Sequence, residues 1–195
     1  MNFHLETPTL PATLPVSLDD AKEAAHISWT HEDTTLTNRL KSVITQIQDE
    51  LGRQLITASY VLHLTRKPCE EFIKLPRPPL VSVTGVEYYD TDNTLQTFSS
   101  GNYSVMTGGV FGEIHLEPDI AWPDVSDEKE YPIKITYSAG YGTDATSIPP
   151  EIIEAIYIKF AQANRFRGDD EKAPPMDGRF ERAMDLMRVP RVVIQ

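Results

Sequence analysis

The chain is short of almost everything that marks an enzyme or a secreted protein. It holds one cysteine, Cys69, which excludes an internal disulfide framework and fits a reducing compartment. Cys69 is followed by Glu70-Glu71, an acidic setting unlike that of a nucleophilic thiol. No run reaches the roughly 18 apolar residues of a membrane span. The opening MNFHLETPTLPATLP has neither a basic start nor an apolar stretch, so no signal peptide is expected. Basic residues are few. Against 29 Asp+Glu there are 18 Lys+Arg, a net charge of −11, which argues against a protein that coats phosphates. There is no G-x-x-x-x-G-K-[ST] and no G-x-S-x-G. Gly140-Tyr141-Gly142 is too short for a dinucleotide fingerprint and reads as a strand-to-loop turn.

Metal chemistry is equally thin. His115, Glu117 and Asp119 stand at i, i+2 and i+4, but no second His or Cys supports them. Asp90-Thr91-Asp92-Asn93 has the oxygens of a calcium loop but Leu95 where the glycine belongs, so it reads as a hairpin turn. No catalytic, cofactor or metal residue is assigned, and the expectation is a non-enzyme.

What is present is a set of well-marked elements. Pro8, Pro11 and Pro15 make residues 1–15 an extended arm. Ser17, with Asp20 three places on, caps a first helix whose stripe is Leu18, Ala21, Ala24 and Ala25. Asp33 or Thr34 caps a second, with Leu36, Leu40, Val43, Ile44, Ile47 and Leu51 on one face and Gly52 as its stop. Strands are expected over 54–65 (covered on both sides), 71–75, 81–89, 94–98, 103–106, 110–116 and 133–137. Pro149-Pro150 opens a third helix to 167, so apolar at Ile152, Ile153, Ile156, Ile158, Phe160 and Phe166 that it is either central or covered by a neighbouring subunit. Pro174-Pro175 precedes an amphipathic stretch, 180–187, and an extended tail.

Helices and strands are segregated, which predicts an α+β fold: an N-terminal helical pair, an antiparallel hairpin and sheet region, a third long helix and an extended C-terminal tail. The expected organisation is an arm (1–15), a central domain (16–168, with helices over 17–52 and 150–167 and a β-region over 54–138) and a docking tail (169–195).

Several segments, in order, carry a resemblance. They are Pro15-Val16-Ser17-Leu18-Asp19-Asp20-Ala21-Lys22, Leu51-Gly52-Arg53-Gln54-Leu55-Ile56-Thr57, Leu75-Pro76-Arg77-Pro78-Pro79-Leu80, Thr136-Tyr137-Ser138-Ala139-Gly140-Tyr141-Gly142 and Ile148-Pro149-Pro150-Glu151-Ile152. Over residues 15–167 the chain resembles the head–tail connector (adaptor) proteins of long-tailed bacteriophages, prophages and gene transfer agents. The resemblance implies a structural virion protein in the neck, assembled in the host cytoplasm. It would form a homo-oligomeric, twelvefold ring under the portal protein and offer a platform to a stopper or tail-completion protein. DNA would pass through without being bound, and no membrane or cofactor would take part. Residues 93–131 stand out as an elaboration. Two other readings remain open: a stopper or tail-completion protein, and an acidic regulatory binding module.

Three surfaces follow from that reading. Ile152, Ile156, Phe160 and Phe166 are expected at a heterologous subunit contact, or in the core. Between residues 113 and 130, seven acids (Glu113, Glu117, Asp119, Asp124, Asp127, Glu128 and Glu130) face one base, Lys129, and would repel DNA from a channel wall. The alternative is a solvated loop. The tail residues Arg182, Met187, Arg188, Val189, Arg191, Val192 and Ile194 are expected to dock on the portal or a neighbour.

Overall fold

The computed structural model describes residues 3–6, 13–165 and 178–189. It is α+β, with two compact units: a helical one, Ala12–Ile56 with Gly142–Val189, and a sheet one, Thr57–Tyr141 with the N-terminal strand.

In the helical unit, α1 (Leu18–Ala24) starts where the Ser17 hydroxyl accepts a hydrogen bond from the Asp20 amide, 3.0 Å. This satisfies one of the orphan N–H groups of the first turn. Ser17→Ala is expected to cost about 1 kcal/mol, read as a lower urea midpoint of the helical signal. The predicted stripe holds only in part. Ala21 is buried but Ala24 is exposed, and Lys22 takes the inner place because its ammonium reaches Asp33 at 2.7 Å. That pairing also explains a corrected cap. Helix α2 (Asp33–Leu51) has Glu32 at its N-cap with no side-chain bond, since the Asp33 carboxylate is engaged by Lys22. The six predicted positions of α2 are all buried, and Gly52 ends it at φ 69.

Residues 54–56, expected as the start of a strand from their β-rich composition, precede β2 and belong to the helical unit. Buried Gln54 donates to the Ile56 carbonyl at 2.8 Å, and Leu55 donates its amide to the Gln48 side chain. Helix α3 (Pro150–Arg165) runs against α1, α2 and α4. Helix α4 (Gly178–Met187) covers the amphipathic stretch expected over 180–187, its buried Phe180 and Met184 four residues apart giving it an inner face.

The sheet unit has two antiparallel sheets around one core. The first has order β1-β2-β8-β4-β5, built from β1 (Phe3–Glu6), β2 (Ala58–Leu64), β8 (Ile133–Ala139), β4 (Leu80–Tyr89) and β5 (Leu95–Phe98). The second has order β3-β7-β6, from β3 (Phe72–Leu75), β7 (Gly112–Leu116) and β6 (Tyr103–Met106). Their inner faces meet through Tyr60, Leu62, Leu64, Ile114, Ile135 and Tyr137. Strand β2 was expected to be covered on both sides. Its burial alternates instead, with Tyr60, Leu62 and Leu64 inside and Val61 and His63 half-covered. The Tyr137 hydroxyl, deep in this core, donates to the Pro76 carbonyl at 2.9 Å, and burial pushes its pKa up. It thereby ties β8 to the proline-rich connector between β3 and β4.

Strand β4 departs from simple alternation. Its pairing with β8 skips one residue between Leu80 and Ser82 and another between Val83 and Gly85. Two bulges put Val81 outside, 49% exposed, although a period of two makes it a core candidate.

Candidate assembly surfaces

The three sequence-derived surfaces land in different environments. On α3, Ile152, Ile156 and Phe160 are at most 2% exposed inside the chain's own helical unit. They serve as core, so a neighbouring subunit has no area to gain from them. Ile153, Tyr157 and Ile158 are the large apolar residues that this helix leaves half-buried. Phe166 lies outside the described residues.

The tail splits likewise. Phe180 and Met184 of α4 pack inward, and the Lys159 ammonium stands 5.7 Å from the Phe180 ring while also pairing with Glu50 at 3.0 Å. Val189 is not free to dock elsewhere. It is 5% exposed, and its amide donates to the Leu51 carbonyl at the end of α2. The Met187 carbonyl accepts from the Arg53 guanidinium at 2.7 Å. Met187 itself is half-buried, Arg182 is exposed, and Arg188 reaches Glu50 at 3.7 Å. Leu186, at 73% exposure, is the largest apolar group α4 leaves to solvent. Arg191, Val192 and Ile194 lie outside the described residues.

The acidic residues share the sheet unit but not a single strand face. Glu113 is on β7, paired with His115 at 2.8 Å, and His115 stacks on Phe72. Strand β7 ends at Leu116, so His115, Glu117 and Asp119 do not form the one-face trio that a metal would need. Among the described residues no group of three or more His, Cys, Asp or Glu is placed to hold a metal ion. Nor is any helix among them long and apolar enough to cross a membrane.

From Glu117 to Tyr131 the chain is irregular but stitched down. Trp122 is buried and donates to the Glu70 carbonyl at 3.0 Å. The Ser126 amide donates to the Tyr89 carbonyl at 2.9 Å, and its hydroxyl meets the Asn93 side chain. Asn93, at φ 60 in the β4–β5 turn, also donates to Glu128 at 2.6 Å. Asp124 pairs with Lys67 at 2.9 Å. The segment is therefore a fixed acidic rim, with Asp119, Asp127 and Glu130 exposed along it. The sequence shows the charge; the stitching residues Trp122, Ser126 and Asn93 carry no motif.

Two aspartates on this side are held below the ordinary carboxylate range. Gln96 and the Thr94 amide lower Asp90, and the Lys67 hydrogen bond and charge lower Asp124. A depressed folded pKa contributes stability above the unfolded value, about 4, and loses it as pH falls through the folded value. Asp90→Asn and Asp124→Asn are thus expected to flatten the loss of stability below about pH 4, as measured by urea midpoints across the acid range.

Two features escaped the sequence. Strand β1 pairs with β2 where only an extended arm is expected. The β6–β7 tip leaves Met106 and Val110 exposed at 55% and 58%. The alternation of Phe3-His4-Leu5-Glu6 is the one available signal for the first; nothing marks the second.

No family model and no curated protein matches the chain. Solved structures do. A chain from the neck of an empty gene transfer agent (GTA) particle, computed with C6 symmetry, is similar at TM-score 0.82 and 18% identity, covering 97% of each chain. A chain from the neck of a native GTA particle, computed with C12 symmetry, is similar at TM-score 0.76 and 19% identity over 99% of this chain and 98% of that one. A chain from the virion of a native GTA particle is similar at TM-score 0.77, 18% identity and 97% coverage of both. At such identities the likeness establishes a shared fold, and it extends over both units.

Proposed function

We propose that the chain is a structural, non-enzymatic protein of a virion neck: a head–tail connector that assembles with copies of itself into a ring beneath the portal protein and extends the DNA channel. The observation that carries this reading is the end-to-end likeness, both units included, to chains found in particle necks. The long, largely apolar inner faces of α2 and α3 support it against a stopper or tail-completion protein, which would be a smaller all-β domain. Each subunit contact in such a ring is allowed to be weak, because closure and portal binding multiply it.

The test is a copy count. Quantitative mass spectrometry of purified particles is expected to find this chain and the portal protein in a ratio near one, as a matching ring requires. Absence from the particles overturns the reading.

Within that role the acidic rim from Glu117 to Glu130 lies at the channel, where negative charge keeps DNA from sticking. Replacing exposed Asp119, Asp127 and Glu130 with lysine is expected to slow DNA ejection while leaving particle assembly intact. Unchanged ejection places the rim on the outer surface.

A further inference from the structure

Strand β1 is poorly held by its own subunit. It is four residues long at the edge of the five-stranded sheet, and among the described residues it pairs only with β2. Phe3, His4 and Glu6 are exposed, and Leu5 alone is half-buried, against the sheet core. Its other side-chain contacts are peripheral. Glu6 meets His63 at 3.3 Å with 59% of its own side chain exposed, and the His4 ring stands 6.0 Å from His63 and 5.9 Å from Tyr131. By contrast, the edge that β1 covers is apolar and wants a strand. Val61, Leu62 and Leu64 lie along it, and an uncovered edge of this kind is an aggregation hazard.

The connection to β1 suits a change of partner. The strand belongs to the sheet unit, and the chain that follows enters the helical unit at Ala12. Ten residues, 7–16, separate Glu6 from the cap Ser17, among them Pro8, Pro11 and Pro15. Extended, ten residues reach about 35 Å, roughly the width of a small domain. Prolines reduce the entropy lost when such a connector is drawn out.

We infer that β1 is exchanged between neighbouring copies, so that in the assembled ring it pairs with β2 of the next subunit. The inference rests on the ring reading above. The occupant of the β2 edge is then a second copy of this chain. The same four residues make the same ladder, with Phe3 opposite Leu64 and Leu5 opposite Leu62, so exchange forfeits no pairing. Swapping an identical element is a low-cost route to association. Here it ties the helical unit of one subunit to the sheet of the next, a head-to-tail contact that closes only in a ring.

Cross-linking decides it. His4 and His63 face each other in the ladder, so His4→Cys and His63→Cys are introduced together with Cys69→Ser. Particles carrying the variant are purified and treated with an oxidant or a short bis-maleimide. The expected result is a ladder at multiples of 22.0 kDa on a denaturing gel, while the dilute isolated chain is linked only within itself. Rings linked only within each chain, or left with free thiols, overturn the exchange. So does an equal ladder from either single-cysteine variant. A chain missing from the particles overturns the neck reading itself, which separates that failure from this one.

Discussion

Phe160→Ala lowers the stability of the isolated chain by about 3–5 kcal/mol. Phe160 is fully buried on α3, the helix that α1, α2 and α4 all meet. Removing its ring leaves a cavity among helices that cannot collapse without losing other contacts. The Asn164 side chain is bonded to the Phe160 carbonyl at 2.8 Å and to Arg39 at 2.6 Å, and Lys159 is engaged with Glu50. The turn of α3 around Phe160 is thus anchored on both sides and keeps the void open. The measurement is a urea titration of the monomer followed in two ways. Helical circular dichroism reports the helical unit. Fluorescence of a Trp29→Phe variant leaves buried Trp122 to report the sheet unit. The helical signal is expected to shift strongly. A monomer as stable as the parent, with a defect only in ring formation, would return Phe160 to a subunit contact.

That experiment addresses a choice the sequence leaves open by its nature. An apolar helix face has the same period whether it meets its own chain or another. Ile152, Ile156 and Phe160 acquire a place only when α2 and α4 are set beside them. Alpha-helical periodicity itself was plain: Leu36, Leu40, Val43, Ile44, Ile47 and Leu51 are inside, and Gly52 ends the helix in the left-handed region. Strand limits were mostly clear too, since proline, glycine and Asx turns bound them.

What escaped depends on partners far along the chain. Strand β1 is settled by residues 61–64, and Asp124 by Lys67, 57 positions away. Val81 is outside because β4 carries two bulges relative to β8, and an alternation pattern cannot count residues that a partner skips. The stretch 180–187 already reads as amphipathic, but what it covers with Phe180 and Met184 is set by the helices beside it. For the acidic rim the charge was legible and its immobility was not. Glu128 and Asp124 are fixed by Asn93 and Lys67, two single polar residues in otherwise ordinary turns and strand ends.

Gly112 is the second position where a small change has a large effect. It opens β7 opposite Leu75, and a Cβ built on it would fall inside the Leu80 side chain. Leu80 has little room to yield. It pairs with Ala139 in β8, and the preceding Pro79 carbonyl accepts the Gly140 amide at 2.9 Å. Both sheets would have to separate locally to admit even a methyl group. Gly112→Ala is expected to cost about 1–3 kcal/mol, and Gly112→Val more. Leu80→Ala alone costs about 2–5 kcal/mol through the cavity it leaves. Combined, Gly112→Ala and Leu80→Ala should cost less than their sum, because alanine at 80 removes the Leu80 Cγ and Cδ2 atoms that the new methyl would overlap, although the Cβ it also meets remains. A coupling of about 1–3 kcal/mol, measured by a double-mutant cycle of urea midpoints, is the expected signature, and strict additivity would remove the close approach from the account. The consequence reaches function. Gly112 opens β7, and the segment that leaves this strand after Leu116 carries the rim. Under the ring reading, whatever moves β7 from β4 also moves the acidic surface around the DNA path, so single Gly112 variants that still assemble should share the slowed ejection of the lysine-substituted rim.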